Sequence, residues 1–153
     1  MFLALLIGAQ AESVDRLSAF KPFIGACWRA SFSPTVSDTH CFETVYGGAH
    51  VRDRHQVREG GKTVYAGETI YSADGADVVF TYFNSLGGVG NGKVRSAGAT
   101  IRFSGTMRAS PTDVPKPIDS EWRVAGADRY EVRPLVKAGS ASADKPLVFT
   151  RIR

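Results

Sequence analysis

From Ile24 onward, apolar and polar residues alternate with a period of two, the signature of strands buried on one face. The pattern runs through 24–32, 38–46, 49–58, 62–72, 77–85, 92–96, 99–108, 118–125, 129–136 and 146–153. Turn signals separate the runs: Gly47-Gly48, Gly60-Gly61, Asp74-Gly75, Gly87-Gly88 and Gly139-Ser140. Ahead of them, Val14 to Phe23 is a short amphipathic segment with room for one or two helical turns before Pro22. Pro111, Pro115 and Pro117 mark one longer loop. No window sustains a long helical period. Sequential strands on short connections predict an all-β fold, an antiparallel up-and-down β-barrel of about 8–10 strands with a short N-terminal helix, because closure removes the unpaired edges.

The segment Phe23-Ile24-Gly25-Ala26-Cys27-Trp28-Arg29, with a Gly-x-x-Trp pattern opening the first strand after a helical turn, resembles the calycin superfamily of lipocalin-like and fatty-acid-binding-protein-like barrels. The lipocalin signature has one residue between Gly and Trp where this chain has two. The resemblance implies a barrel whose interior holds a small apolar molecule. It does not identify that molecule, since one fold hosts many functions.

The chain has 153 residues, enough for one domain. Residues 1–11 are uncharged and apolar, too short to span a bilayer, and close on Ala9-Gln10-Ala11, the small-x-small pattern of a signal-peptidase site. The expectation is a signal peptide over 1–11 and a single barrel domain over 12–153, in a periplasmic or secreted protein; the competing reading is a buried N-terminal strand or helix. Export makes the two cysteines readable as a pair. A hairpin centred on Ser33-Pro34-Thr35 puts Cys27 opposite Cys41, Trp28 opposite His40 and Ala26 opposite Phe42, which predicts a Cys27–Cys41 disulfide.

The net charge of +4 is spread along the chain. Arg52, Arg54 and Arg58 read as the solvated face of one strand rather than a phosphate-binding stripe, so nucleic acid is not an expected partner. The run Leu86 to Gly92 lacks the Gly-Lys-Ser/Thr ending of a phosphate loop and reads as a hairpin loop over one barrel mouth. Gly-x-Ser-x-Gly and His-Glu-x-x-His are absent from the sequence, and no Cys–His nucleophile pair lies outside the expected disulfide.

Candidate chemistry comes from the strand faces. With a two-residue turn at Gly60-Gly61, Val57 pairs with Val64, His55 with Ala66, Asp53 with Glu68 and Val51 with Ile70, which gathers Asp53, His55 and Glu68 on the apolar, inward face. A two-residue turn at Asp74-Gly75 places Thr81 beside Glu68. Three readings compete: a buried polar network, a polar patch that orients a ligand, and general acid–base chemistry. One His with two carboxylates is thin for zinc, with His40 the nearest supplement, so no metal and no cofactor are expected. A one-residue slip would instead bring Arg52, Arg54 and Tyr65 inside and make an anion site. Trp28, Phe42, Phe103, Met107, Trp122 and Tyr130 alternate with polar neighbours and should face the core. With His40, Asp53, His55, Glu68 and Thr81 they form the candidate ligand-binding set.

The expected function is an exported module, a monomer or weak dimer, binding a small apolar or amphipathic molecule. The alternatives are a barrel-lumen isomerase, cyclase or hydrolase using Asp53, His55 and Glu68, and a filled-core interaction protein.

Overall fold

The computed structural model of the chain describes residues 16–135 and 145–152. The expected signal segment 1–11 and the Gly139-Ser140 turn lie outside the described residues. The alternating pattern forms ten strands: β1 Ala26–Ser31, β2 Val36–Val45, β3 His50–Glu59, β4 Lys62–Asp74, β5 Asp77–Asn84, β6 Val89–Ala97, β7 Thr100–Arg108, β8 Lys116–Val124, β9 Arg129–Pro134 and β10 Leu147–Ile152. Each pairs antiparallel with the next, and β1 pairs with β10, so the sheet closes into the expected all-β up-and-down barrel. No helix among the described residues is long and apolar enough to cross a membrane.

The amphipathic N-terminal segment becomes a single 3₁₀ turn, Leu17–Phe20. Its apolar residues plug one end of the barrel. Phe20 stacks on Tyr71 with ring centroids 4.2 Å apart, and Phe23 packs against Trp28, Phe42, Trp122 and Tyr130 at 5.0–5.9 Å. The Trp28 indole N–H donates to the Phe23 carbonyl at 3.3 Å, which ties the plug to β1. Full burial of each of these phenylalanines contributes roughly 1.5–3 kcal/mol. The opposite end carries the connections at 32–35, 60–61, 85–88 and 109–115.

The first hairpin has the predicted register, with Cys27 opposite Cys41, Trp28 opposite His40 and Ala26 opposite Phe42. Cys27 and Cys41 form a disulfide on the outer wall, their Cα atoms 4.1 Å apart. Trp28, His40 and Phe42 therefore point inward.

The β3–β4 hairpin departs from its predicted register. The Gly60-Gly61 turn does pair Glu59 with Lys62, but the pairing shifts between Val57 and Arg58 because Arg58 lies opposite Thr63 and Val57 opposite Tyr65. Val64 is the extra residue, an exposed bulge. Beyond it Asp53 faces Thr69, Arg54 faces Glu68, His55 faces Gly67 and Val51 faces Tyr71. One inserted residue exchanges the two faces of β4, so Tyr65, Thr69 and Tyr71 turn inward while Glu68 and Ile70 turn outward. The bulge keeps the Glu68 carboxylate out of the interior, where burial of an unpaired charge is costly. Thr81 pairs with Ile70 and is exposed on the outer wall, with Phe80 and Tyr82 inside.

The glycine run is shorter as a loop than its sequence suggests, since β6 begins at Val89. Asn84 Oδ1 accepts the Leu86 and Gly88 backbone N–H groups at 2.9 Å each, and Asn84 Nδ2 donates to the Ala109 carbonyl at 3.1 Å. The connection is pinned to the start of the proline loop rather than standing free as a cover over the barrel.

Candidate functional site

Strand pairing assembles a line of titratable side chains in the half of the barrel away from the plug. β2 and β3 set His40 opposite His55 and Asp38 opposite Val57, while alternation turns Asp38, His40, Asp53 and His55 inward. Asp53 Oδ2 accepts from His40 Nδ1 at 2.7 Å, and His40 Nε2 lies 3.1 Å from Asp38 Oδ2. Asp38 Oδ1 lies 3.3 Å from His55 Nδ1, and His55 Nε2 lies 3.1 Å from the Tyr82 hydroxyl, which meets the Tyr65 hydroxyl. The chain runs Asp53–His40–Asp38–His55–Tyr82–Tyr65.

Carboxylates accept and do not donate, so a histidine whose two nitrogens both face carboxylates is best satisfied as the imidazolium. Burial alone would lower the His40 pKa, but the Asp53 charge and hydrogen bonds to both aspartates override it and push it up to about 10. Burial would raise the Asp38 pKa, yet hydrogen bonds from His40 and His55 hold it well below the usual carboxylate range. Burial and the Tyr65 hydrogen bond raise the Tyr82 pKa, so that hydroxyl stays protonated.

Asp53 is 2% exposed, and its Oδ1 has no hydrogen-bond partner among the described residues; the buried Tyr130 hydroxyl likewise has none. Leaving a buried acceptor unsatisfied costs about 1–3 kcal/mol, more when it is charged. Asp53 therefore holds unused hydrogen-bonding capacity in the core.

Against this chain lies an interior cavity of about 260 Å³. Its polar lining is His40, Asp53, His55, Thr69, Tyr82 and Ser120; its apolar lining is Tyr71, Phe80, Phe103, Met107, Ile118 and Trp122. Three larger grooves lie on the outer wall, about 520 and 640 Å³ beside Cys41 and Arg54 and about 450 Å³ beside Tyr46 and Arg52. They hold no comparable buried network, and we place the candidate site in the smaller interior cavity for that reason.

No protein-family model matches the chain, and no curated protein does. Among solved structures it is similar to the crystal structure of Rv2717c from M. tuberculosis. The TM-score is 0.58 and the identity 18%, over 90% of this chain and 98% of that one. That likeness shows a shared barrel fold.

Of the residues singled out in the sequence, His40, Asp53, His55, Phe103, Met107 and Trp122 line the cavity, whereas Trp28, Phe42 and Tyr130 pack around Phe23. Glu68 and Thr81 lie on the outside, so the grouping of Asp53, His55 and Glu68 does not form. The slipped register is realised for Tyr65 alone: Arg52 bonds Glu43 at 2.7 Å, and Arg54 lies 3.3 Å from the same carboxylate, both on the outer wall. Asp38, Thr69, Tyr71, Tyr82 and Ser120 are not among the residues that the sequence pattern singles out. Asp38 was within reach, because it shares strand parity with His40 and Phe42.

Asp38, His40 and His55 bring three potential metal-donor atoms within 4.8 Å of one another. Their directions fit a metal poorly. The two imidazoles are stacked, with centroids 4.8 Å apart and planes 23° apart, so their in-plane lone pairs run side by side, and one Asp38 oxygen faces each ring. That is a carboxylate bridging two rings rather than three lone pairs converging on one point.

Proposed function

We propose that the chain is an exported, calycin-type binding module that holds a small, largely apolar molecule in its barrel. The observation that carries the reading is the interior cavity of about 260 Å³, lined by aromatic side chains together with His40, Asp53 and His55 of the hydrogen-bonded line. An apolar cavity of about 150 Å³ takes benzene, so this one has room for a bicyclic ring or a benzene with a short chain. It is smaller than most drug-sized sites. The plug end is packed solid by Phe20 and Phe23, which leaves the cavity as the unfilled part of the core. A filled-core interaction protein has no use for it. The Cys27–Cys41 bridge supports an oxidising compartment, as does the apolar run closing on Ala9-Gln10-Ala11.

Isothermal titration calorimetry with indole, a neutral aromatic of suitable size, tests the reading. Saturable one-to-one binding that Met107→Trp abolishes by filling the cavity is the expected result. If indole fails to bind the folded, disulfide-intact protein, or binds Met107→Trp equally well, the interior is not a binding site.

A further inference from the structure

The charges around the cavity are not balanced evenly, and that imbalance bears on what the cavity accepts. Asp38 receives both imidazoles, His40 on Oδ2 and His55 on Oδ1. Asp53 receives only His40, on Oδ2, and its Oδ1 stays without a partner although the residue is 2% exposed and lines the cavity. A carboxylate oxygen can only accept, so the missing partner is a donor. The cation nearest to it, His40, already spends both of its ring nitrogens on the two aspartates. Among the described residues, no Lys or Arg lines the cavity. An anionic group entering there would meet Asp53, whose one neighbouring cation, His40, is shared with Asp38.

The aromatic lining suits a cation as well. Trp122, Phe103, Tyr71 and Phe80 line the same space, and ring faces attract ammonium groups, more strongly when both are withdrawn from water. Thr69 and Ser120 add hydroxyls, which accept as readily as they donate. From the unpartnered Asp53 Oδ1, the aromatic wall and the cavity volume, we infer that the occupant is a small arylalkyl or branched alkyl amine, bound as its ammonium with one N–H donated to Asp53 Oδ1. This inference rests on the binding reading above and narrows it to a chemical class. The hydrogen bond would be charge-assisted on both sides, the stronger kind.

Three size-matched probes separate the class from binding as such: 2-phenylethylamine, 2-phenylethanol and phenylacetate, titrated calorimetrically into the full, disulfide-intact chain at neutral pH. The expected result is an amine at least about tenfold tighter than the alcohol, with phenylacetate undetectable, since each tenfold is a single good charge-assisted contact. Asp53→Asn keeps the shape and removes the charge; it should bring the amine down to the affinity of the alcohol. Should that variant not fold, the ranking of the three probes on the unaltered protein decides alone. An alcohol or phenylacetate that binds as well as the amine overturns the ammonium assignment while indole binding keeps the cavity reading intact. Failure of all three probes together with indole overturns both.

Discussion

The His40 imidazole lies in the interior with Nδ1 2.7 Å from Asp53 Oδ2, and its other nitrogen faces Asp38 at 3.1 Å. One cation thus joins two carboxylates contributed by β2 and β3, and those strands are adjacent because the chain doubles back at Tyr46–Gly48. The arrangement couples the core to pH. In the fold the His40 pKa rises from 6.5 to about 10, so its contribution is complete below about pH 6.5 and is lost as pH climbs toward 10. The Asp38 pKa is held below its ordinary 3.8, so its contribution is present above that value and is lost as pH falls below it. Both describe the same shared contacts and are not additive.

Urea denaturation should accordingly show greatest stability between about pH 4 and pH 6.5, with a decline on the order of 3 kcal/mol toward pH 10. Measurements up to about pH 9.5 avoid Tyr71, Tyr82 and Tyr130, whose pKa values burial raises above 10. His40→Gln should flatten the alkaline decline. An unchanged decline in that variant would mean that the loss originates elsewhere in the protein.

Removing the carboxylate that joins the two histidines should cost more than removing either ring contact. Asp38→Ala leaves the His40 cation with one partner and frees the facing nitrogen of His55, and breaking a buried pair in this way costs about 3–5 kcal/mol. The denaturation midpoint at pH 6 measures it. A loss below about 1 kcal/mol would show that water replaces Asp38 without strain.

Much of this arrangement can be read from the sequence, and the part that cannot has one physical origin. The alternating pattern places all ten strands, and the Ser33-Pro34-Thr35 turn gives the first hairpin its register because no residue is inserted between turn and cysteines. Asp53 and His55 are placed correctly on the inner face for the same reason: β3 is regular. Glu68 is misplaced because the bulge at Val64 lies between it and the turn, and a classic two-against-one insertion leaves no fixed residue signature. Apolar matching does not reveal it, since Val57–Val64 and Val51–Ile70 pair as plausibly as Val57–Tyr65 and Val51–Tyr71. What discriminates is the cost of turning Glu68 inward beside Asp53, a like charge without a cation. Tyr82 follows from the same parity that buries Phe80, but the apolar residues on both faces of Val78 to Phe83 conceal which face is which.

The corrected register has a direct check. Glu68→Gln should leave stability within about 0.5 kcal/mol and indole affinity unchanged, as for a surface position. Thr69→Glu, one residue along, places a carboxylate in the cavity wall and should abolish indole binding. If Glu68→Gln is the change that disturbs binding, the bulge is not where the structure puts it.

The Cys27–Cys41 bridge closes a hairpin with a sequence separation of 14. A loop of about 15 residues contributes about 3 kcal/mol in the chain-entropy account. The double variant Cys27→Ser/Cys41→Ser should fold with a correspondingly lower urea midpoint, and reductant should shift the unaltered protein by a similar amount while leaving the variant unmoved.

Gly67 links the fold to the site most sharply. It lies opposite His55 on β3 and opposite Asn84 on β5, and a Cβ at this position would run into His55 Nε2 and sit 2.7 Å from the Tyr82 ring and hydroxyl. Glycine is required here for close approach, since the hydrogen bond from His55 to Tyr82 passes directly over its backbone. The imidazole cannot move aside cheaply, because its other nitrogen is held by Asp38 and its face lies against His40. Gly67→Ala should therefore break the His55–Tyr82 contact and destabilise the protein by about 1–3 kcal/mol, the usual cost of overpacking. Nitrogen-15 NMR of the histidine side chains can follow this, with the His55 Nε2 resonance shifting while the two His40 nitrogens, anchored by Asp38 and Asp53, stay in place. A methyl group accepted without change in either resonance would show that Tyr82 does not bond His55.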